Sequence, residues 1–228
     1  MRPEGIVIAI DGPAGVGKST VGKLVAARAG YRFISTGKMY RALAWKALGL
    51  GRGLEDDRGL VELAVTLRWE FPRGAGPEAD VRLDGRVLDK ELIEEPVSRA
   101  SSAIAKLPGV RLFMKEMQRQ AGLRGGVVME GRDIGTNVFP DAELKIYLDA
   151  SPEARARRRV GQLKEQGLPA DYDEILDFIK KRDAQDSGRA VNPLKRADDA
   201  HYVDSTRLPR EQVVDAILDL FALALKRY

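Results

Sequence analysis

The segment Ile10-Asp11-Gly12-Pro13-Ala14-Gly15-Val16-Gly17-Lys18-Ser19-Thr20 (IDGPAGVGKST) decides the fold. From Gly12 to Ser19 it fits G-x-x-x-x-G-K-[ST], a pattern whose glycines let backbone amides close around phosphate oxygens. The apolar run Ile6 to Ile10 before it reads as a buried strand, and the amphipathic stretch Val21 to Ala29 after it as a helix. A helix starting there directs its positive end at the same phosphates. Gly12, Pro13, Ala14, Gly15, Val16, Gly17, Lys18, Ser19 and Thr20 are therefore assigned to a nucleotide's phosphates. Lys18 adds a full charge, and the Ser19 hydroxyl is placed on a bound Mg²⁺.

Working outward, strand signals followed by helical patterns recur. Arg32 to Ile34 precedes Lys38 to Leu48, and Leu144 to Leu148 precedes Pro152 to Leu163. Tyr202 to Val203 precedes Pro209 to Lys226, and Val127 to Met129 reads as a further strand. Such alternation predicts an α/β fold, a parallel sheet wrapped by helices. On the last helix Val214, Ile217, Leu218, Phe221 and Leu225 form the expected buried stripe. Between residues 68 and 90 the pattern changes to short alternating segments, with a Gly-Ala-Gly-Pro loop and a turn at Asp84-Gly85. This predicts a small antiparallel insertion in which Trp69 and Phe71 pack, as Trp45 does on its helix. Helical stretches at Pro96 to Lys106 and Val110 to Leu123 follow.

Composition excludes several classes. The 228 residues are 44% hydrophobic and 32% charged, as in an ordinary globular chain, and no apolar run approaches a membrane span of ~20 residues. The first strand begins within six residues, which leaves no room for a signal peptide and predicts a cytoplasmic protein. With no cysteine there is no disulfide or thiolate metal site, and a single histidine, His201, excludes a site that needs two. His201 is read as entering a strand. A net charge of +4 does not by itself call for a nucleic-acid partner.

Transfer of a phosphoryl group between two anions needs positive charge on both sides of it, and guanidinium grips phosphate bidentately. The arginines are placed accordingly. Arg41 follows the second strand in STGKMYR, and Arg132 with Asp133 follows the third in MEGRDIGT. Asp133 is left open between metal and base. Arg155, Arg158 and Arg159 share a helix face at i, i+3, i+4 behind the cap Ser151, and are expected to form a mobile lid over the nucleotide. Arg182, Asp186 and Arg189 continue the line of Ile175 and Ile179, with Gly188 expected to end that helix.

Together IDGPAGVGKST, STGKMYRAL, SSAIAKLPGVR, GRDIGT…FPDAELKIYLDAS, RDAQDSGRAVNPL and DST resemble the bacterial-type cytidylate kinases, in order and across nearly the whole chain. The resemblance implies a P-loop three-layer fold with a five-stranded parallel sheet. Its core would span 1–65 and 107–228, with a helical lid near 152–170 and an acceptor-binding insertion at 66–106. It implies transfer of the ATP γ-phosphoryl group to CMP or dCMP with Mg²⁺, in a cytoplasmic monomer without nucleic-acid or membrane partners. By position, Ser102, Arg111 and Asp133 match residues that read cytosine, which moves Asp133 from metal to base. Arg41, Arg132 and Arg189 match holders of the acceptor phosphate. Arg182 and Asp186 match contacts near sugar and phosphate, and Thr36 lies beside CMP. Lys18, Arg132, Arg158, Arg182 and Arg189 are the implied catalytic set, with Arg155, Arg158 and Arg159 on ATP. Many family members carry aspartate where this chain has Ser35, which puts in doubt a second protein contact to the metal's water shell, and alanine where it has Lys38, a change expected to alter affinity for the acceptor. The competing readings are an adenylate, uridylate or shikimate kinase, or a partner-dependent P-loop ATPase. The latter calls for an N-K-x-D or helicase motif, which the sequence lacks.

Overall fold

The computed structural model describes residues 2–72, 81–165 and 167–227. The elements run β1 (Val7–Asp11), α1 (Lys18–Ala29), β2 (Arg32–Ser35), α2 (Thr36–Gly49), α3 (Asp57–Thr66), β3 (Trp69–Glu70), β4 (Arg82–Leu83), β5 (Arg86–Val87), α4 (Glu95–Ile104), α5 (Pro108–Gly122), β6 (Val127–Gly131), β7 (Leu144–Asp149), α6 (Pro152–Glu165), α7 (Tyr172–Ser187), β8 (His201–Asp204) and α8 (Arg210–Leu225). A short 3-10 helix covers Lys90–Ile93, and a π-helical turn covers Ile134–Val138.

Five strands form one parallel sheet in the order β2-β6-β1-β7-β8, and β3, β4 and β5 form a separate antiparallel sheet. Every residue of β1 and β6 is buried, because helices cover both faces. Ile8, Ile10, Val128, Ile146 and Leu148 pack with residues of α1 and α8 on one side. Val7, Ala9, Val127 and Met129 pack with residues of α2, α3, α4 and α5 on the other. The parallel register pairs Ser35 with Glu130, and Asp11 with both Gly131 and Tyr147, so the strands end on a common edge. That edge carries the loop Gly12 to Gly17, as expected where open α/β sheets bind ligands.

Most sequence expectations hold, with instructive shifts. α1 begins at Lys18, three residues before Val21, because Gly17 in the left-handed region (φ 99°) starts it. The Asp84-Gly85 turn joins β4 to β5 with φ of 53° and 78°. The Trp69 indole N–H donates to Ala64 O at 3.0 Å, while the Arg86 guanidinium lies over Trp45. The Gly-Ala-Gly-Pro loop falls outside the described residues. His201 opens β8, and Ser151 Oγ accepts from Ala154 N–H. α3 was not anticipated. On α8 the buried stripe is Val213, Val214, Ile217 and Ala224, with Leu218 and Phe221 half-buried; the expected Leu225 is exposed, and its neighbour Ala224 is the buried residue of the last turn.

Two loop glycines separate backbone conformation from steric overlap. A Cβ on Gly17 would meet nothing within 4 Å, whereas one on Gly12 (φ 153°) would sit 2.0 Å from the Leu148 carbonyl oxygen, a backbone atom that cannot step aside. Gly17→Ala should cost only the left-handed penalty of ~1–2 kcal/mol, and Gly12→Ala distinctly more. Thermal unfolding of the two ligand-free variants checks this; equal midpoints would contradict it.

Candidate active site

Lys18 is buried at the start of α1, and its ammonium donates to Gly12 O at 2.8 Å and Pro13 O at 2.7 Å. Burial first, then Arg132, lowers its pKa to about 7 against the pull of Glu130, Asp11 and Asp186. The cation is thus held by loop carbonyls that a phosphate can replace.

Next to it lies a residue that the sequence reading missed. Glu130, at the end of β6, is buried, and its Oε1 accepts from Ser19 Oγ at 2.8 Å and from Ser35 Oγ at 2.5 Å. Burial works against its charge, but Lys18, the Ser35 hydroxyl, Arg132 and the Ser19 hydroxyl outweigh that and hold its carboxyl below the ordinary range. Thr36 Oγ1 donates to the Glu130 carbonyl at 2.9 Å, so Thr36 sits at the same strand end. The signal was present in MEGRD: a carboxylate on the strand beside the phosphate loop. Asp133, three residues on, drew the attention instead. Ser19 and Glu130 offer oxygen donors only, the set that a hard divalent cation such as Mg²⁺ takes.

Asp11, the last residue before the loop, is buried, and its two oxygens accept from Ile134 N–H at 2.8 Å and Gly135 N–H at 2.7 Å. Burial still lifts its pKa to about 6. This carboxylate fixes the π-helical turn that follows Arg132 and Asp133.

The arginines assigned to the acceptor converge. Arg132 Nε donates to Asp186 Oδ2 at 2.8 Å, and the Arg189 guanidinium pairs with Asp186 Oδ1. Burial together with Arg132, Arg41 and Arg189 lowers Arg182 to about 10, and burial and Arg132 likewise lower Arg41. Arg182 makes no hydrogen bond or ion pair among the described residues, and the buried Nε atoms of Arg41 and Arg189 have no hydrogen-bond partner there. Arg132, Arg182 and Arg189 thus act on the buried carboxylate Asp186, and Arg41 and Arg132 on Glu130, so guanidinium groups outnumber the carboxylates they face, an excess of positive charge suited to an anion.

Beside them Arg111 donates to Asp133 Oδ2 at 2.7 Å and to Ala105 O at 3.3 Å, while Asn137 Nδ2 donates to the same Oδ2 at 3.0 Å. Asp133 Oδ1 keeps no partner among the described residues. Tyr40, also missed, lies within the field of Arg111, Asp133 and Arg189, and burial pushes its hydroxyl up to about 12. It borders both clusters. Ser102 is half-buried on α4 and donates back to Ser98 O at 3.2 Å; no hydrogen bond joins it to Arg111 or Asp133.

The expected basic face of α6 is not a single face. Arg155 is buried; it donates to Ala150 O and Ala14 O and grips Asp183 of α7 bidentately at 3.0 and 2.6 Å. Arg158 binds Ser205, through Oγ at 3.3 Å and through the carbonyl, and Arg159 is exposed. Spacing put the three side by side, but the packing of α6 on α7 gives each a different neighbour.

Residues 8–223 match the family model described as cytidylate kinase. The chain belongs to the cytidylate kinase family. It is 46% identical over 211 residues to the cytidylate kinase of Pelotomaculum thermopropionicum, covering 92% of this chain and 93% of that one. It is also 46% identical over 212 residues to the cytidylate kinase of Bacillus pumilus, covering 93% and 94%. A solved structure of an uncharacterized protein from Eubacterium ventriosum, 12% identical with a TM-score of 0.52, covers 94% of this chain and 97% of its own and shares the fold.

The position of Lys18 in the phosphate loop predicts that nucleotide binding depends on pH. The lysine's free pKa of about 7 must rise when phosphate replaces the two carbonyls, so binding above that pH takes up a proton and weakens as pH increases. Titration calorimetry at pH 8 in buffers of different ionisation enthalpy should show uptake of about one proton per nucleotide, as linkage requires, and at pH 6 little from this group. Lys18→Ala should abolish the uptake; buffer-independent heats at pH 8 would refute it.

Proposed function

We propose that the chain transfers the γ-phosphoryl group of ATP to CMP or dCMP by direct in-line displacement. The observation that supports this is the convergence of Arg132, Arg182 and Arg189 on Asp186, with Arg132 and Asp186 acting electrostatically on Lys18, together with the Arg111–Asp133 pair. An acceptor oxygen of the CMP phosphate attacks the γ-phosphorus, the bond to the β,γ-bridging oxygen breaks, and ADP departs. A phosphate nucleophile is already anionic, so no general base is required. The loop amides and Lys18 hold the triphosphate, and Arg132, which acts electrostatically on Lys18, spans donor and acceptor.

Mg²⁺, when bound, neutralises charge between the terminal phosphates; Ser19 and Glu130 are the residues that would hold it. Asp133 Oδ1 accepts from the exocyclic amine of cytosine, which uracil lacks, and Arg111 donates toward the ring carbonyl. Ser102, Thr36 and Asp186 border the acceptor. In the same reading residues 66–106 form the acceptor-binding insertion on a core of 1–65 and 107–228. Residues 152–170 form a lid that brings Arg158 and Arg159 to ATP and excludes water, with Arg155 bracing the loop. In the same reading the protein is a cytoplasmic monomer, and gel filtration of the purified protein checks its oligomeric state.

A coupled assay of ADP release with CMP, dCMP, UMP and AMP tests the acceptor, with the cytidine nucleotides preferred. Arg132→Ala and Arg189→Ala should each lower kcat by ~10²-fold or more, the scale of a lost transition-state contact; unchanged turnover in both would displace them from the site. Asp133→Asn keeps an oxygen for Arg111 and Asn137 but turns the open oxygen into a donor, so the CMP-over-UMP preference should fall while the ATP KM holds. Glu130→Gln should raise the Mg²⁺ concentration for half-maximal rate, and an unshifted Mg²⁺ curve would exclude Glu130 from the metal site.

A further inference from the structure

Arg111 stands in the first turn of α5, and that turn is held from outside the pocket. α5 has no side-chain cap of its own: Leu107 occupies the N-cap position, followed by Pro108. The free amides of its first turn find Asp57 instead. Gly109 N–H donates to Asp57 Oδ2 at 2.8 Å, and Val110 N–H to Oδ1 at 2.9 Å.

Asp57 is the first residue of α3, and α3 is capped by its neighbour Asp56, which accepts from Gly59 N–H at 2.9 Å. Asp57 therefore directs both oxygens to the other helix, where a carboxylate also opposes the positive end of the helix dipole. The fit explains Gly109, since a Cβ there would lie 2.8 Å from Asp57 Oδ1. The next residues are Val110, fully buried, and Arg111, whose amide bonds Leu107 O at 3.0 Å and whose guanidinium reaches Asp133 and Ala105 O.

We propose that Asp57 is a positioning residue for acceptor recognition: by capping α5 from α3 it sets the turn from which Arg111 meets Asp133 and the base. This rests on the assignment of Arg111 and Asp133 to the base, so Arg111→Ala is measured alongside. Asp57→Ala should raise the KM for CMP roughly five- to tenfold, the scale of one lost cap, and narrow the CMP-to-UMP ratio of kcat/KM. The KM for ATP should stay unchanged, and the Gly109 and Val110 amides should exchange hydrogen faster.

Asp56→Ala removes the cap of α3, a single bond from the Gly59 amide. It should lower the melting temperature without moving the CMP KM, which a merely structural effect of Asp57 could not match. If Asp57→Ala does not yield folded protein, Asp57→Asn, keeping one acceptor, should give an intermediate shift. A folded Asp57 variant with wild-type CMP KM, or an equal shift in Asp56→Ala, overturns the proposal. An unchanged CMP KM in Arg111→Ala overturns the base assignment beneath it.

Discussion

The carboxylate of Asp11 is the constraint on which the site's geometry depends. It ends the central strand, precedes the phosphate loop, and accepts from two amides of the turn that follows Arg132 and Asp133. A buried carboxylate is costly to ionise, and here the cost shows in a pKa of about 6 despite two hydrogen bonds. Such a group persists only where its geometry is closely determined. Donor loop and acceptor turn thus belong to one rigid unit, whose relative position is set by the β1–β6 register and locked by Asp11.

How much was legible in the sequence follows from the range of each interaction. The phosphate loop is local, and its residues could be named one by one, down to the hydroxyl of Ser19. The sheet was legible because strand and helix periods differ. Arg41, Arg132, Arg182 and Arg189 could be singled out because each follows a strand or continues a helical line. Glu130 and Tyr40 were not found, because their roles arise from register and from packing between distant elements: Ser19 and Ser35 reach one oxygen only when β6 lies between β2 and β1. The α6 arginines failed for the same reason. Helical spacing states which residues share a face, but not that Asp183 waits opposite Arg155.

Electrostatics divides the site into a compensated and an uncompensated half. Near the loop, Lys18 and Glu130 act on each other, and Lys18 is further held by carbonyls. Around Asp186, two arginines are paired directly, while burial and neighbouring guanidinium groups lower the proton affinity of Arg182 and burial with Arg132 lowers that of Arg41. Asp186 nevertheless orients Arg132 and Arg189 before any ligand arrives, so less side-chain entropy remains to be lost on binding. Asp186 and Glu130 offset part of the repulsion among the guanidinium groups, and a bound anion would offset more, which fits the phosphate proposed for this side.

Ser35 shows how a departure from the family pattern is accommodated. Where the resemblance implies an aspartate, this chain places a hydroxyl that donates to Glu130 and accepts from the Lys38 amide at 3.4 Å, capping α2. An aspartate could cap the helix equally well, but beside the Glu130 carboxylate it would set two anions together, raising the proton affinity of one unless a cation intervenes. With serine the pair carries one charge, and the hydroxyl itself helps to keep Glu130 ionised. The two residues thereby trade a second acidic oxygen for a single carboxylate that stays charged in the ligand-free state. Lys38, three residues on, turns its own ammonium away to Asp89 at 3.1 Å, across to the segment that follows β5. This ion pair joins α2 to that segment.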